Sequence, residues 1–281
     1  GSREKPLAFW AQLSSGLAPL HQPLSGLPPT QWEQRFPTSP QDLAAYCKAG
    51  PHTPTQARPY LYLGKLGPFS PAQNEIFELS CLYLQAFFGC EVRLLDSIAL
   101  SEIPAEARRL QAGSLQIHTR YVLNQLLPSR MPDSAMACLL LTATDVFPSS
   151  GWKYVLGHTD VHRHTAIWSL HRLGKPEAGE AAFRLCLKRS LKTASHETGH
   201  LLSMKHCTFY RCVMQGAYDL AEADARPMYL CAVCLAKAGK ACGFDPLQRF
   251  AFLQKFWATL GFEPEMKAYA QFQQQLVRIL E

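Results

Sequence analysis

The stretch "SHETGHLLSMKHC" (195–207) places three histidines, one glutamate and one cysteine within thirteen residues. Upstream of it, Phe183, Leu187, Leu191, Ala194, Thr198 and Leu201 fall on one stripe at about 100° per residue. His196 and His200 lie opposite that stripe, one turn apart. The pattern predicts a helix over 177–202 that buries one side and offers two imidazoles and Glu197 on the other. Such a pair can chelate one ion. Zinc takes imidazole nitrogens at about 2.0–2.1 Å, and a catalytic zinc keeps three protein ligands and an open position. Glu197, beside the first imidazole, is placed to act as general base.

His206 is the candidate third ligand. On a continuous helix it would stand about 12 Å along the axis from the midpoint of His196 and His200. The chain must therefore leave the helix after about Leu202 and fold back. Glycine usually supplies the left-handed residue of such a turn, but position 203 is serine. A non-glycine residue with positive φ costs on the order of 1 kcal/mol, which a turn braced by metal ligands tolerates.

Directly downstream, "CTFYRCVM" supplies Cys207 and Cys212, and "YLCAVC" supplies Cys231 and Cys234. Two close pairs separated by a loop have tetrathiolate zinc spacing, and closed sites of that kind are structural. A disulfide pair and a nucleic-acid-binding finger are the alternatives. The finger is opposed by the intervening "QGAYDLAEADARPM", whose acids outnumber its single arginine.

The 281 residues are 47% hydrophobic and 18% charged, enough to bury a sizeable core. No apolar run approaches a membrane span, and the net charge of +6 comes without a long basic run. Arg108–Arg109 and Lys188–Arg189 read as solvated pairs on helices. Gly1-Ser2 reads as a cloning remnant, which leaves open a leader removed upstream. Of ten cysteines, six are scattered, mostly in apolar stretches such as "ELSCLYLQAFF", which favours a reducing compartment.

Residues 3–58 are proline-rich and read as an extended arm with short helical pieces such as 40–48. Strands are expected at 58–66, 90–96, 136–147, 152–160 and 164–170, and helices at 70–89 and 115–127. The order indicates an α/β layer with a mixed sheet. Two further helices follow Cys242.

"HETGHLLSMKHC", then "CVM", then "CAVC", resembles the archaemetzincins, a metzincin-type family of zinc metalloproteases. Their pattern is HExxHxxG, three residues, Cys, four residues, Cys, one residue, Met, about seventeen residues, then CxxC. This chain has sixteen residues between Met214 and Cys231, and departs at Ser203. The resemblance spans residues 58–245. It implies His196, His200 and His206 as ligands of a catalytic zinc, Glu197 as base, and a second, structural zinc on Cys207, Cys212, Cys231 and Cys234. It also implies that Met214 is the methionine of the Met-turn beneath the metal. Aminopeptidase-like action on short peptides is a looser implication.

The expected architecture is an arm (1–57), an α/β metzincin-like peptidase domain with a mixed twisted sheet (58–242) and C-terminal helices packed on it (243–281). The expected function is zinc-dependent hydrolysis of peptide substrates by a monomer that binds neither nucleic acid nor membrane. Its expected location is the cytoplasm, with the nucleus as a second site. A catalytically weak, zinc-stabilised binding module is the alternative, and Ser203 is the feature that favours it. Tyr218 is a candidate oxyanion or substrate contact. His158, His162 and His164 are read as turn residues rather than ligands. The strand at 164–170 is expected to offer a free edge to a peptide.

Overall fold

The computed structural model describes residues 5–281, so Gly1-Ser2, read above as a cloning remnant, lies outside the described residues. Contacts divide the chain into two compact units, one of Pro54–Leu84 with Cys90–Leu201, the other of residues up to Thr53 with Gln85–Gly89 and Leu202–Glu281.

The first of these carries the sheets. Strands β1 (Tyr60–Leu66), β2 (Val92–Leu94), β3 (Arg108–Gln111), β4 (Ser114–His118), β5 (Ala135–Thr142), β6 (Asp145–Phe147), β7 (Gly157–Asp160) and β8 (Thr165–Ser169) form two sheets. The larger has the order β2-β1-β5-β8-β7 and the smaller β3-β4-β6. In the larger sheet every pairing is parallel except β7 with β8. Strand β5 ("AMACLLLT") is buried at every residue, as a central parallel strand covered on both faces must be. The core gathers side chains from both sheets, among them Leu66, Ile117, Leu140, Val146 and Ile167. Trp168 on β8 donates its indole N–H to Ser190 Oγ at 3.0 Å and so ties the sheet to the long helix Glu180–Leu201.

Three sequence expectations change here. The region 115–127 is not one helix: β4 occupies its start, and helix begins at Thr119, widening to a π turn at Val122–Leu126. Arg108 and Arg109 lie on strand β3, where Arg108 donates to the Leu100 and Ile103 carbonyls and Arg109 lies 3.7 Å over the Phe147 ring. The edge strands of the large sheet are β2 and β7, because β8 is paired on both sides, so the edge expected of 164–170 belongs to β7.

The second unit is helical apart from its loops. Helix Leu7–Leu17 packs on helix Ala232–Cys242 and on Glu263–Leu280, which in turn pairs with Pro246–Thr259. The arm is thus less extended than its prolines imply, since Trp10, Leu13 and Leu17 form a buried helical stripe. The short helix Leu43–Lys48 is capped by Asp42, whose carboxylate accepts from Ala45 N at 2.7 Å.

Candidate active site

Helix Glu180–Leu201 is buried on one side in its first half and all round from 190 to 199. Burial of that extent requires every polar group to find a partner. Ser195 and Thr198 donate back to carbonyls one turn earlier, at 2.9 and 2.8 Å. Near its end, the rings of His196 and His200 meet edge to face, with Nε2 atoms 3.1 Å apart. Two ligands on one tetrahedral zinc would be separated by about 3.3 Å, from the bond lengths of such sites. The pair therefore fits a shared ion.

Glu197 is buried, and its carboxylate is fixed from β7. The Thr159 hydroxyl donates to Oε2 at 2.6 Å. Gly157, two residues earlier on the same strand, faces the other oxygen: a Cβ there would come within 2.5 Å of Oε1. Neither Gly157 nor Thr159 was singled out from sequence. The signal was a glycine inside a strand, which marks close approach by another group. The neighbouring His158 is held by Thr119 Oγ1 at 2.6 Å, and burial pushes its pKa down to about 4. Asp160 accepts from the backbone N–H groups of His162 and Arg163, which closes the β7–β8 turn.

The four cysteines expected to act together do lie together. Their sulfur atoms are all within 4.8 Å of one another and all four residues are buried. Cys207 and Cys231 are 3.6 Å apart at sulfur, well beyond a disulfide bond, and all ten cysteines are free thiols. Hydrogen bonds from Cys212, then Cys231 and Cys234, hold the Cys207 thiol well below its ordinary value. The Cys212 and Cys231 thiols are pushed up chiefly by burial, and Cys234 chiefly by its bond to Cys207. Four soft sulfur donors in one buried cluster form a set suited to zinc. The loop is tightened by Cys207 N donating to the Met214 carbonyl at 2.8 Å, with Met214 fully buried.

His206 sits on a turn that opens with Ser203 at φ +64°. The arm lies against the same loop. Pro23 bridges Tyr210, and Trp32 meets the His206 ring edge-on at 4.9 Å between centroids. Gly216 admits that indole, for a Cβ there would fall 2.1 Å from it. A cleft of about 530 Å³ is walled by Leu24, Leu27, Trp32 and Pro37 of the arm and by His206 and Phe209. Tyr218 is exposed, with Arg35 Nη1 donating to its hydroxyl oxygen at 2.9 Å.

Residues 99–240 match the sequence profile of Peptidase family M54. The chain is 29% identical over 273 residues to archaemetzincin-2 of Mus musculus, covering 84% of this chain and 75% of that protein. Its fold is similar to the crystal structure of archaemetzincin from Archaeoglobus fulgidus complexed with malonate. That match has TM-score 0.51 and 25% identity, over 63% of this chain and 99% of that one. Archaemetzincin from Methanopyrus kandleri matches in fold with TM-score 0.54 at 24% identity, over 68% of this chain and 99% of its own.

Proposed function

The chain belongs to peptidase family M54, the archaemetzincins, a family of zinc metallopeptidases, and we propose that it cleaves peptide bonds with Glu197 as general base and His196, His200 and His206 as ligands of a catalytic zinc. The observation that carries this reading is the buried Glu197 carboxylate, held by Thr159 beside two imidazoles spaced for one ion. Zinc, when bound, supplies Lewis acidity: it polarises the scissile carbonyl and lowers the pKa of water towards 7.

The chain's own groups do the rest. Thr159 fixes Oε2 of Glu197 by donating to it. Oε1, beside Gly157, takes a proton from the attacking water. The same oxygen returns that proton to the leaving nitrogen, so no net charge is left on the enzyme. Cys207, Cys212, Cys231 and Cys234 would hold a second zinc, whose binding energy would stabilise the loop that presents His206. Met214 would serve as the Met-turn methionine of the site. Tyr218 is the candidate donor to a tetrahedral oxyanion, its hydroxyl oxygen accepting from Arg35 Nη1 and leaving the proton to donate.

The substrates are short peptides, cleaved from the N-terminus. The support is the arm's contact with the His206 turn and a cleft of about 530 Å³, which suits a few residues rather than a long chain. The test is digestion of a peptide library by the purified chain, with and without a chelator, using free and acetylated N-termini. Chelator-sensitive removal of N-terminal residues from free peptides alone is the expected result. Equal cleavage of acetylated peptides at internal bonds would overturn the exopeptidase assignment.

A further inference from the structure

The turn that carries His206 is fastened by one segment of the arm, residues 41–52. At the end of a helix the last carbonyls have no partner within it. Here Tyr46 donates its hydroxyl to the Leu202 carbonyl at 2.6 Å, and Gln41 Nε2 donates to the Ser203 carbonyl at 3.1 Å. Gln41 Oε1 accepts from Lys205 N at 3.0 Å and from the buried Lys237 Nζ at 3.3 Å. The Ser203 hydroxyl oxygen accepts from His52 N at 3.0 Å. Burial pushes the Tyr46 phenol far up, so it remains a donor.

The side chains involved are out of water. Gln41 is 7% exposed, Lys237 1% and Tyr46 0%. Reversing the Gln41 amide would set its oxygen against the Ser203 carbonyl and its nitrogen against the Lys205 N–H, so its orientation is fixed by its neighbours. One amide therefore bonds the turn on both sides of Met204, two residues before His206. Serine contributes something glycine lacks at 203: an acceptor for the His52 N–H, which offsets the strain of its left-handed backbone.

We propose that Gln41 is a positioning residue for His206, and that Ser203 is a working replacement for glycine in this chain rather than a sign of a decayed site. The inference rests on the zinc site proposed above. Partners of this kind around metal ligands change metal affinity or activity by about 10–100-fold when removed.

The test uses the full chain loaded with cobalt, in which a thiolate charge-transfer band reports the cysteine site and cobalt lost without any change in that band is histidine-site metal. Release into a chelator is followed for the wild type, Gln41→Leu, Gln41→Glu and Ser203→Gly. Gln41→Leu should release the histidine-site metal about 10–100-fold faster, with the thiolate band unchanged. Gln41→Glu, which keeps the acceptor for Lys205 N, should fall between it and the wild type. Ser203→Gly should speed release to a smaller extent although it relieves backbone strain, and it serves if Gln41→Leu does not fold. Wild-type release rates at the histidine site in the Gln41 variants, or in Ser203→Gly where those do not fold, would overturn the inference alone. A wild-type chain that holds no cobalt beyond the thiolate-bound ion would overturn the zinc reading with it.

Discussion

Thr159 Oγ1 lies 2.6 Å from Glu197 Oε2, so a hydroxyl on the edge strand β7 fixes one oxygen of a buried carboxylate. A hydrogen bond to the charged form favours that form. Thr159→Val should raise the Glu197 pKa and move the acid limb of the kcat/KM profile to higher pH. It should lower kcat by roughly 10–100-fold, the cost of one charge-assisted hydrogen bond, with KM little changed. A kcat/KM–pH profile identical to the wild type would show that Thr159 does not act through Glu197.

Gly157 fills the space beside the other oxygen. A Cβ there stands 2.5 Å from Oε1 and 2.8 Å from the carboxylate carbon, so either the strand or the carboxylate must shift. Gly157→Ala should abolish most hydrolysis while the circular dichroism spectrum and the zinc content stay as in the wild type. Full activity in that variant would mean that Glu197 adopts a different position when it works.

The cysteine cluster carries a stability prediction. Its four sulfurs lie within 4.8 Å of one another. Cys234→Ala removes one of four ligands and with it much of the metal's contribution to folding, typically about 10 kcal/mol or more for a complete structural site. Metal analysis should fall from two zincs per chain to one or none, with a lower thermal midpoint. A variant that retains two zincs would exclude Cys234 as a ligand.

His158 gives a pH dependence. Its folded pKa, about 4, lies below the unfolded 6.5, so the unfolded chain binds the proton first. Its contribution is present above pH 6.5 and is lost as pH falls from 6.5 to 4. In that window the slope it adds approaches 1.4 kcal/mol per pH unit. His158→Gln should flatten the denaturation free energy against pH by up to that amount. An unchanged slope would place the titration elsewhere.

The proposed metal ligands are conspicuous in the sequence because their logic is local. His196, Glu197 and His200 occupy about one helical turn, and Cys207/Cys212 and Cys231/Cys234 are each a short chelate. Strand β5 was legible for a related reason, since eight consecutive buried residues leave an apolar run that only a covered strand needs. Gly157, Thr159 and Gln41 were not, because each acts on a residue about 38 to 164 positions away and none is unusual in type. Strand β4 was absorbed into a helix because Leu115 is in phase with the helical run through Val122 and Leu126. Only its pairing with β3 and β6 separates it. The helix Leu7–Leu17 was obscured by the prolines that follow it, although Trp10, Leu13 and Leu17 already had helical spacing.

The most direct test of the account is Glu197→Gln, which keeps the size and the Thr159 partner but cannot take a proton. The measurement pairs zinc analysis with the rate of peptide cleavage. The account predicts two zincs per chain in both proteins and a fall in kcat of at least about 10²–10⁴-fold in the variant, the usual contribution of a general base. Cleavage at the wild-type rate by a fully loaded Glu197→Gln chain would contradict it.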